Sequence, residues 1–259
     1  MISSLRIHPA PSGDVPRSYN WAHTVPFLKQ NPEITFTPGL NILFGPNGSG
    51  KSNVTGILAF HLAAEQGGHS CVTSDWIRNV FGIVGEPQLP WDVVHDGQPV
   101  VYVNPRNAVG LIGGMAGFDN DFFNEGIQNT ITKASSGQHT LRRITNAAQL
   151  LLGAAPFPSK IEFKAGRTPK LAPKIDAHFA ATCPLGPNTV ILDEPESGLS
   201  LPFQAGFWRN ALASVAAQKF QIIVATHSPF ALNIKGANYI ETEPGYLQQC
   251  RDLFKTLDR

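Results

Sequence analysis

Short apolar runs bounded by glycine, proline and polar clusters alternate along this chain with longer stretches of helical spacing, the pattern of an α/β fold. Residues 2–8 read as a strand, and residues 9–29, with prolines at 9, 11, 16 and 26, read as a loop. Residues 33–37 alternate and then meet Pro38 and Gly39, a strand and turn that deliver the chain to a short apolar strand over 41–44. Val54, Ile57, Leu58 and Leu62 share one face of a helix predicted from Lys51 to about Glu65. A short helix over 75–81 capped by Ser74, a strand over 99–103 and a glycine-rich flexible loop over 110–117 follow. Ser135 with Gln138 forms a capping box, and Leu141, Ile144, Ala148, Leu151 and Leu152 continue it as a helix. The last third predicts a strand over 189–192, a helix from about 202 to 218, a strand over 220–225 and another over 238–240. No internal repeat or heptad run is visible.

Length and composition narrow the class. A chain of 259 residues can bury a substantial core. With 42% hydrophobic and 15% charged residues and a formal net charge of +1, it does not hold nucleic acid by bulk charge alone. No basic region followed by an apolar run opens the sequence, and no stretch approaches the roughly 18 apolar residues of a membrane span. The cytoplasm is the expected location. Cys71, Cys183 and Cys250, an odd number at wide spacing, suit reduced thiols. His69 and Cys71 are two possible ligands where a zinc site normally needs four. The region 154–184 changes character, being rich in proline, with Lys160, Lys164, Arg167, Lys170 and Lys174 against Glu162 and Asp176. It reads as a loop-rich insert, either a solvated surface or a binding face for DNA or a protein.

Candidate chemistry lies at three strand ends. Gly45-Pro46-Asn47-Gly48-Ser49-Gly50-Lys51-Ser52 fills the pattern G-x-x-x-x-G-K-[ST] between the 41–44 strand and the following helix. Glycines there let the backbone wrap phosphate oxygens, Lys51 brings a positive charge to the outer phosphates, and the Ser52 hydroxyl can ligate magnesium. Val190-Ile191-Leu192-Asp193-Glu194 is an apolar strand ending in two carboxylates, where ligands bind in parallel sheets. Asp193 can hold the magnesium, and Glu194 can face an attacking water as general base. Thirty-three residues past Glu194, a second apolar strand ends in Thr226-His227-Ser228-Pro229, which brings His227 to the same sheet edge to meet a γ-phosphate.

In this order, with Ala134-Ser135-Ser136-Gly137-Gln138 between, the motifs resemble those of ATP-binding-cassette (ABC) ATPases. The soluble RecF-like and SMC-head-like branch is the nearer match, because Glu196 stands in Asp193-Glu194-Pro195-Glu196 where transporters usually carry threonine, and because of the Ala225-Thr226-His227-Ser228-Pro229 run. The resemblance implies an α/β P-loop NTPase fold with a mostly parallel core sheet and flanking helices, an N-terminal antiparallel β part and a helical signature lobe. It implies one domain over 1–259, with a nucleotide-binding lobe from about 1–70 and 185–259, the signature lobe over 71–153 and the insert over 154–184. Asn47, Gly48, Ser49, Gly50, Lys51 and Ser52 would wrap the phosphates of ATP, with Ser52 and Asp193 on Mg2+. Glu194 would activate water and His227 would contact the γ-phosphate. Ser135 and Gly137 would reach the nucleotide of a second subunit, making ATP the glue of a homodimer.

Departures from that pattern are specific. Ala134 replaces a leucine, Ser136 a glycine, and Ser200 stands where transporters have an aspartate. No plain glutamine marks the loop linking the lobes; Asn104 is the candidate. Tyr19, Trp21 and Phe27 are candidates for stacking on adenine, or are core. Only 84 residues separate Lys51 from Ser135, too few for the coiled-coil arms of true SMC proteins. The expected function is a nucleotide-switched ATPase acting with a nuclease-like or other nucleic-acid-directed effector of the repair or anti-phage defence type, and possibly DNA. The alternatives are the nucleotide-binding subunit of an ABC transporter and a protein that uses ATP only for assembly.

Overall fold

The computed structural model describes residues 1–9, 21–62, 65–66, 90–96, 98, 100–104, 136–151, 188–212 and 220–257. Two sheets carry the described chain. Strand β1 (Ile2–Ile7) is the middle of an antiparallel sheet, between β2 (Glu33–Thr35) and β5 (Trp91–His95), with Leu5 opposite both Ile34 and Val93. The second sheet has six strands, all parallel: β3 (Gly39–Phe44), β4 (Glu65–Gln66), β6 (Val100–Val103), β7 (Thr189–Asp193), β8 (Gln221–Thr226) and β9 (Asn238–Glu241). Their spatial order is β4-β6-β7-β8-β3-β9.

Every residue of β6, β7 and β8 is buried, which is why these strands read as unbroken apolar runs. Alternate side chains feed two cores. Leu43, Tyr102, Ile191, Ile223 and Ala225 point to one, where helix α2 (Lys51–His61) contributes Val54, Ile57 and Leu58, β1 contributes Leu5, and helix α1 (Pro26–Gln30) contributes Phe27 and Leu28. Ile42, Phe44, Val101, Val190, Leu192, Ile222 and Val224 point to the other. There they meet Ala147 of helix α3 (Ser136–Leu151), Trp208, and Leu247 of helix α5 (Tyr246–Leu257). Each such Leu, Ile or Phe stabilises the fold by about 1.5–3 kcal/mol.

Gln221 joins the two sheets. Its buried side-chain amide accepts the Ile2 N–H at 2.6 Å and donates to the carbonyls of Ile2 at 2.7 Å and Thr37 at 3.1 Å. The first strand is thereby tied to the start of β8.

Several boundaries differ from those expected. The helix after the phosphate loop ends at His61, because Glu65 and Gln66 leave it to pair with Val101 and Tyr102 as an edge strand. The segment expected as a loop over 9–29 contains a 3-10 turn over Trp21–Thr24 and α1, with Pro26 in its first turn. The helix expected over 202–218 is a short α4 (Leu201–Gly206) that widens into a π turn over Phe207–Leu212, seating Trp208 and Leu212 in the core. The 75–81 helix, the 110–117 loop, the 154–184 insert, Cys71 and Cys183 lie outside the described residues; Cys250 is a half-buried free thiol. Among the described residues, no helix is long and apolar enough to cross a membrane.

Candidate nucleotide-binding site

Parallel register decides where the chemistry falls. Phe44 pairs with Thr226, and Asp193 pairs with Ala225, so the chain segments leaving β3, β7 and β8 emerge together at one edge of the sheet.

Residues 45–52 leave β3 as a tight loop and enter α2. Gly48 and Gly50 have φ of 78° and 103°, in the left-handed region that favours glycine. Gly45 has no room for a side chain, since a Cβ there would lie 2.0 Å from Thr242 Oγ1. Thr242, just past β9, braces the loop from below: its N–H donates to the Phe44 carbonyl at 2.9 Å, and its hydroxyl lies 2.5 Å from Ser49 Oγ. The buried Lys51 folds back over the loop, with Nζ donating to the carbonyls of Gly45 at 2.9 Å and Pro46 at 2.8 Å. Asn47 and Gly48 at the apex are exposed. The α2 N-terminus directs its N–H groups and positive dipole end at the loop, as an anion site requires.

Ser52, in the first turn of α2, donates its hydroxyl to Asp193 Oδ1 at 2.9 Å. Asn104, just past β6, donates from Nδ2 to the other oxygen, Asp193 Oδ2, at 3.0 Å and to the Tyr102 hydroxyl at 3.0 Å. Burial, reinforced by the Asp193 charge, pushes the Tyr102 hydroxyl well above its ordinary range. A serine hydroxyl beside a buried carboxylate is a hard oxygen donor set, which fits Mg2+ bound by one or two protein ligands plus phosphate and water. Among the described residues, no group of three or more His, Cys, Asp or Glu side chains could hold a metal by itself.

Glu194 follows directly, in a sharp turn. Its φ of 46° is the one positive value at a non-glycine among the described residues, held by its N–H donating to the Ala225 carbonyl at 2.8 Å. The buried carboxylate of Glu194 lies 3.4 Å from Nδ1 of the partly exposed His227. The two groups assigned to activating water and touching a terminal phosphate are therefore brought together. Glu196 is buried on the same turn and accepts the Thr226 hydroxyl. Burial lifts its carboxyl to about 7, with the charges of Glu194 and Asp193 adding to the rise against the Thr226 hydrogen bond.

Of the remaining sequence candidates, Gly137 lies in the first turn of α3, and Ser135 lies outside the described residues. That helix is tied to the turn after β7 by Thr140, whose buried hydroxyl donates to the Ser197 carbonyl at 3.2 Å. Phe27 is a buried core residue and is not available to stack on adenine. Tyr19 lies outside the described residues, and nothing is described of the Trp21 side chain. Thr242 and Thr226 were not singled out as site residues in the sequence. Thr226 stood inside a recognised run, but nothing marked a threonine 193 residues from Ser49 as its partner.

No protein-family model matches the chain. A stretch of 44 residues, 17% of the chain, is 46% identical to the chromosome partition protein Smc of Thermoplasma acidophilum and spans 4% of that protein's length. Among solved structures, one described as a metal-chelate type ABC transporter in an inward-facing conformation matches over 90% of this chain and 76% of its own, at 15% identity and a TM-score of 0.37. That likeness is too slight to bear on function. The site geometry itself, a loop with glycines at positive φ set between a buried parallel strand and a helix N-terminus, is that of a phosphate-binding loop.

Proposed function

We propose that this chain binds ATP with Mg2+ at the 45–52 loop and hydrolyses it, and that the nucleotide state switches a nucleic-acid-directed effector. The observation that carries the reading is the meeting of three strand ends. They put the phosphate loop, the Ser52–Asp193 pair and the Glu194–His227 pair on one edge of the parallel sheet.

In this reading Asn47, Gly48, Ser49, Gly50 and Lys51 hold the phosphates by backbone N–H groups and the lysine charge. Ser52 and Asp193 hold the magnesium, which neutralises charge on the transferring phosphoryl group. Glu194 takes the proton of the attacking water, and His227 donates a hydrogen bond to the terminal phosphate. Ser135 and Gly137 serve the nucleotide of a second copy, so that two chains close around ATP and part after hydrolysis. The effector reading draws support from the relative's name, a chromosome partition protein, and from the basic, proline-rich character of 154–184. It places the protein in the cytoplasm.

The test is to purify a tagged Glu194→Gln variant from its native host with ATP present and identify co-purifying proteins and nucleic acid. Blocking hydrolysis should hold the closed dimer long enough to retain its partner. A soluble nuclease-like effector or nucleic acid, lost on adding Lys51→Ala, is the expected result. An integral membrane permease would overturn it and assign the chain to a transporter.

A further inference from the structure

Glu196 has no place among the phosphate, magnesium or water ligands proposed above, yet it is a carboxyl almost wholly removed from solvent. Burying such a group is costly unless it is hydrogen-bonded. Among the described residues its side-chain partner is Thr226, whose hydroxyl donates to Glu196 Oε1, and its own backbone N–H also bonds the carboxyl. Thr226 Oγ1 in turn accepts the Ser228 N–H at 2.9 Å. Thr226 and Ser228 are both buried, and the residue between them is His227.

The Glu194 turn and the His227 loop are thus cross-linked twice. One link is the backbone bond from Glu194 N–H to the Ala225 carbonyl at 2.8 Å, and the other is the Glu196 side chain on Thr226. On its own side Glu196 is fixed by its turn, its carbonyl accepting the Leu199 N–H at 2.9 Å. Both links join residues within two positions of the pair that makes the 3.4 Å approach, His227 and Glu194. We infer that Glu196 is a positioning residue, which sets His227 against Glu194 through the Thr226 hydroxyl and the Ser228 N–H. The inference rests on the ATPase reading for its catalytic consequence, but the latch itself is a statement about His227.

The experiment compares wild type, Glu196→Ala, Glu196→Gln and Thr226→Val, alone and combined with His227→Ala, in steady-state ATP hydrolysis, ATP binding and the NMR signals of the His227 ring. The amide of Glu196→Gln still accepts the Thr226 hydroxyl, so this variant keeps the latch. Glu196→Ala and Thr226→Val are expected to lower kcat about tenfold, the equivalent of about 1.4 kcal/mol, with ATP affinity within about twofold of wild type. Glu196→Gln is expected to stay within about threefold of wild type. In the His227→Ala background, Glu196→Ala is expected to lower kcat no further, because a residue acting only through His227 has nothing left to position.

A kcat for Glu196→Gln as low as for Glu196→Ala, or an additive loss with His227→Ala, overturns the inference. If Glu196→Ala does not fold, Thr226→Val and Glu196→Gln make the same comparison. If wild type hydrolyses no ATP, the ATPase reading has failed and the ring signals still decide. They move in Thr226→Val and hold in Glu196→Gln if the latch exists, and unmoved signals in Thr226→Val overturn it.

Discussion

Replacing Glu196 by glutamine should make the folded chain more stable, and by an amount that grows with pH. The carboxyl is buried, so its proton is held to about 7 in the fold against an ordinary value of 4.5 in an unfolded chain. A folded value above the unfolded one means that stability is full below about 4.5 and falls as pH rises through about 7. The difference corresponds to about 3 kcal/mol once the group is ionised in both states. Glutamine keeps the size and the acceptor for Thr226 but never ionises. Urea unfolding of the two proteins at pH 5, 6, 7 and 8, without nucleotide or magnesium, measures the gap directly. Titrating groups remote from position 196 contribute equally to both chains and cancel, while the repulsion of the ionised carboxyl by Glu194 and Asp193 belongs to the same gap. The variant is expected to be ahead by about 1 kcal/mol at pH 5 and about 3 kcal/mol at pH 8. A gap that does not change with pH, or one that narrows as pH rises, would refute the reasoning that burial governs this carboxyl.

Other parts of the account make separate demands. Gln221→Ala removes an acceptor from the Ile2 N–H and donors from the Ile2 and Thr37 carbonyls, and should cost about 2–4 kcal/mol in a denaturant titration. Gly45→Ala drives a methyl into Thr242 Oγ1, so calorimetry should find ATP binding weakened at least about tenfold, with part of the loss recovered when Thr242→Ala is added. Asn104→Ala takes an amide from Asp193 Oδ2 and should raise the magnesium concentration for half-maximal hydrolysis about tenfold, as losing a supporting hydrogen bond to a metal ligand does.

What was legible in the sequence was what local pattern determines. The buried runs of β7 and β8 carry no polar residue inside them apart from their ends, and their terminal acids and histidine are read at a glance once the strands are parallel. The turn glycines of residues 45–52 are likewise local, since Gly48 and Gly50 adopt backbone angles that other residues resist. Tertiary competition hid the rest. Glu65 and Gln66 continue a helical pattern, but their backbone finds an edge of the sheet. Phe27 reads equally well as a base-stacking aromatic or a core residue, and only its burial in the core shared by both sheets decides for the core. Helix α5 was missed although Tyr246, Leu247 and Cys250 already mark its buried face; the exposed Leu253 and Phe254 blur that stripe. The bracing of the phosphate loop by Thr242 and the joining of the sheets by Gln221 are contacts between residues about 200 positions apart, which no periodicity encodes.

The most direct test of the central claim is ATP binding and turnover by wild type and Glu194→Gln, measured side by side with magnesium. The account predicts that both bind ATP with affinities within about threefold, and that turnover falls by about 100-fold or more in the variant, the contribution of a positioned general base. Equal turnover in the two proteins, or no ATP binding by wild type, would contradict it.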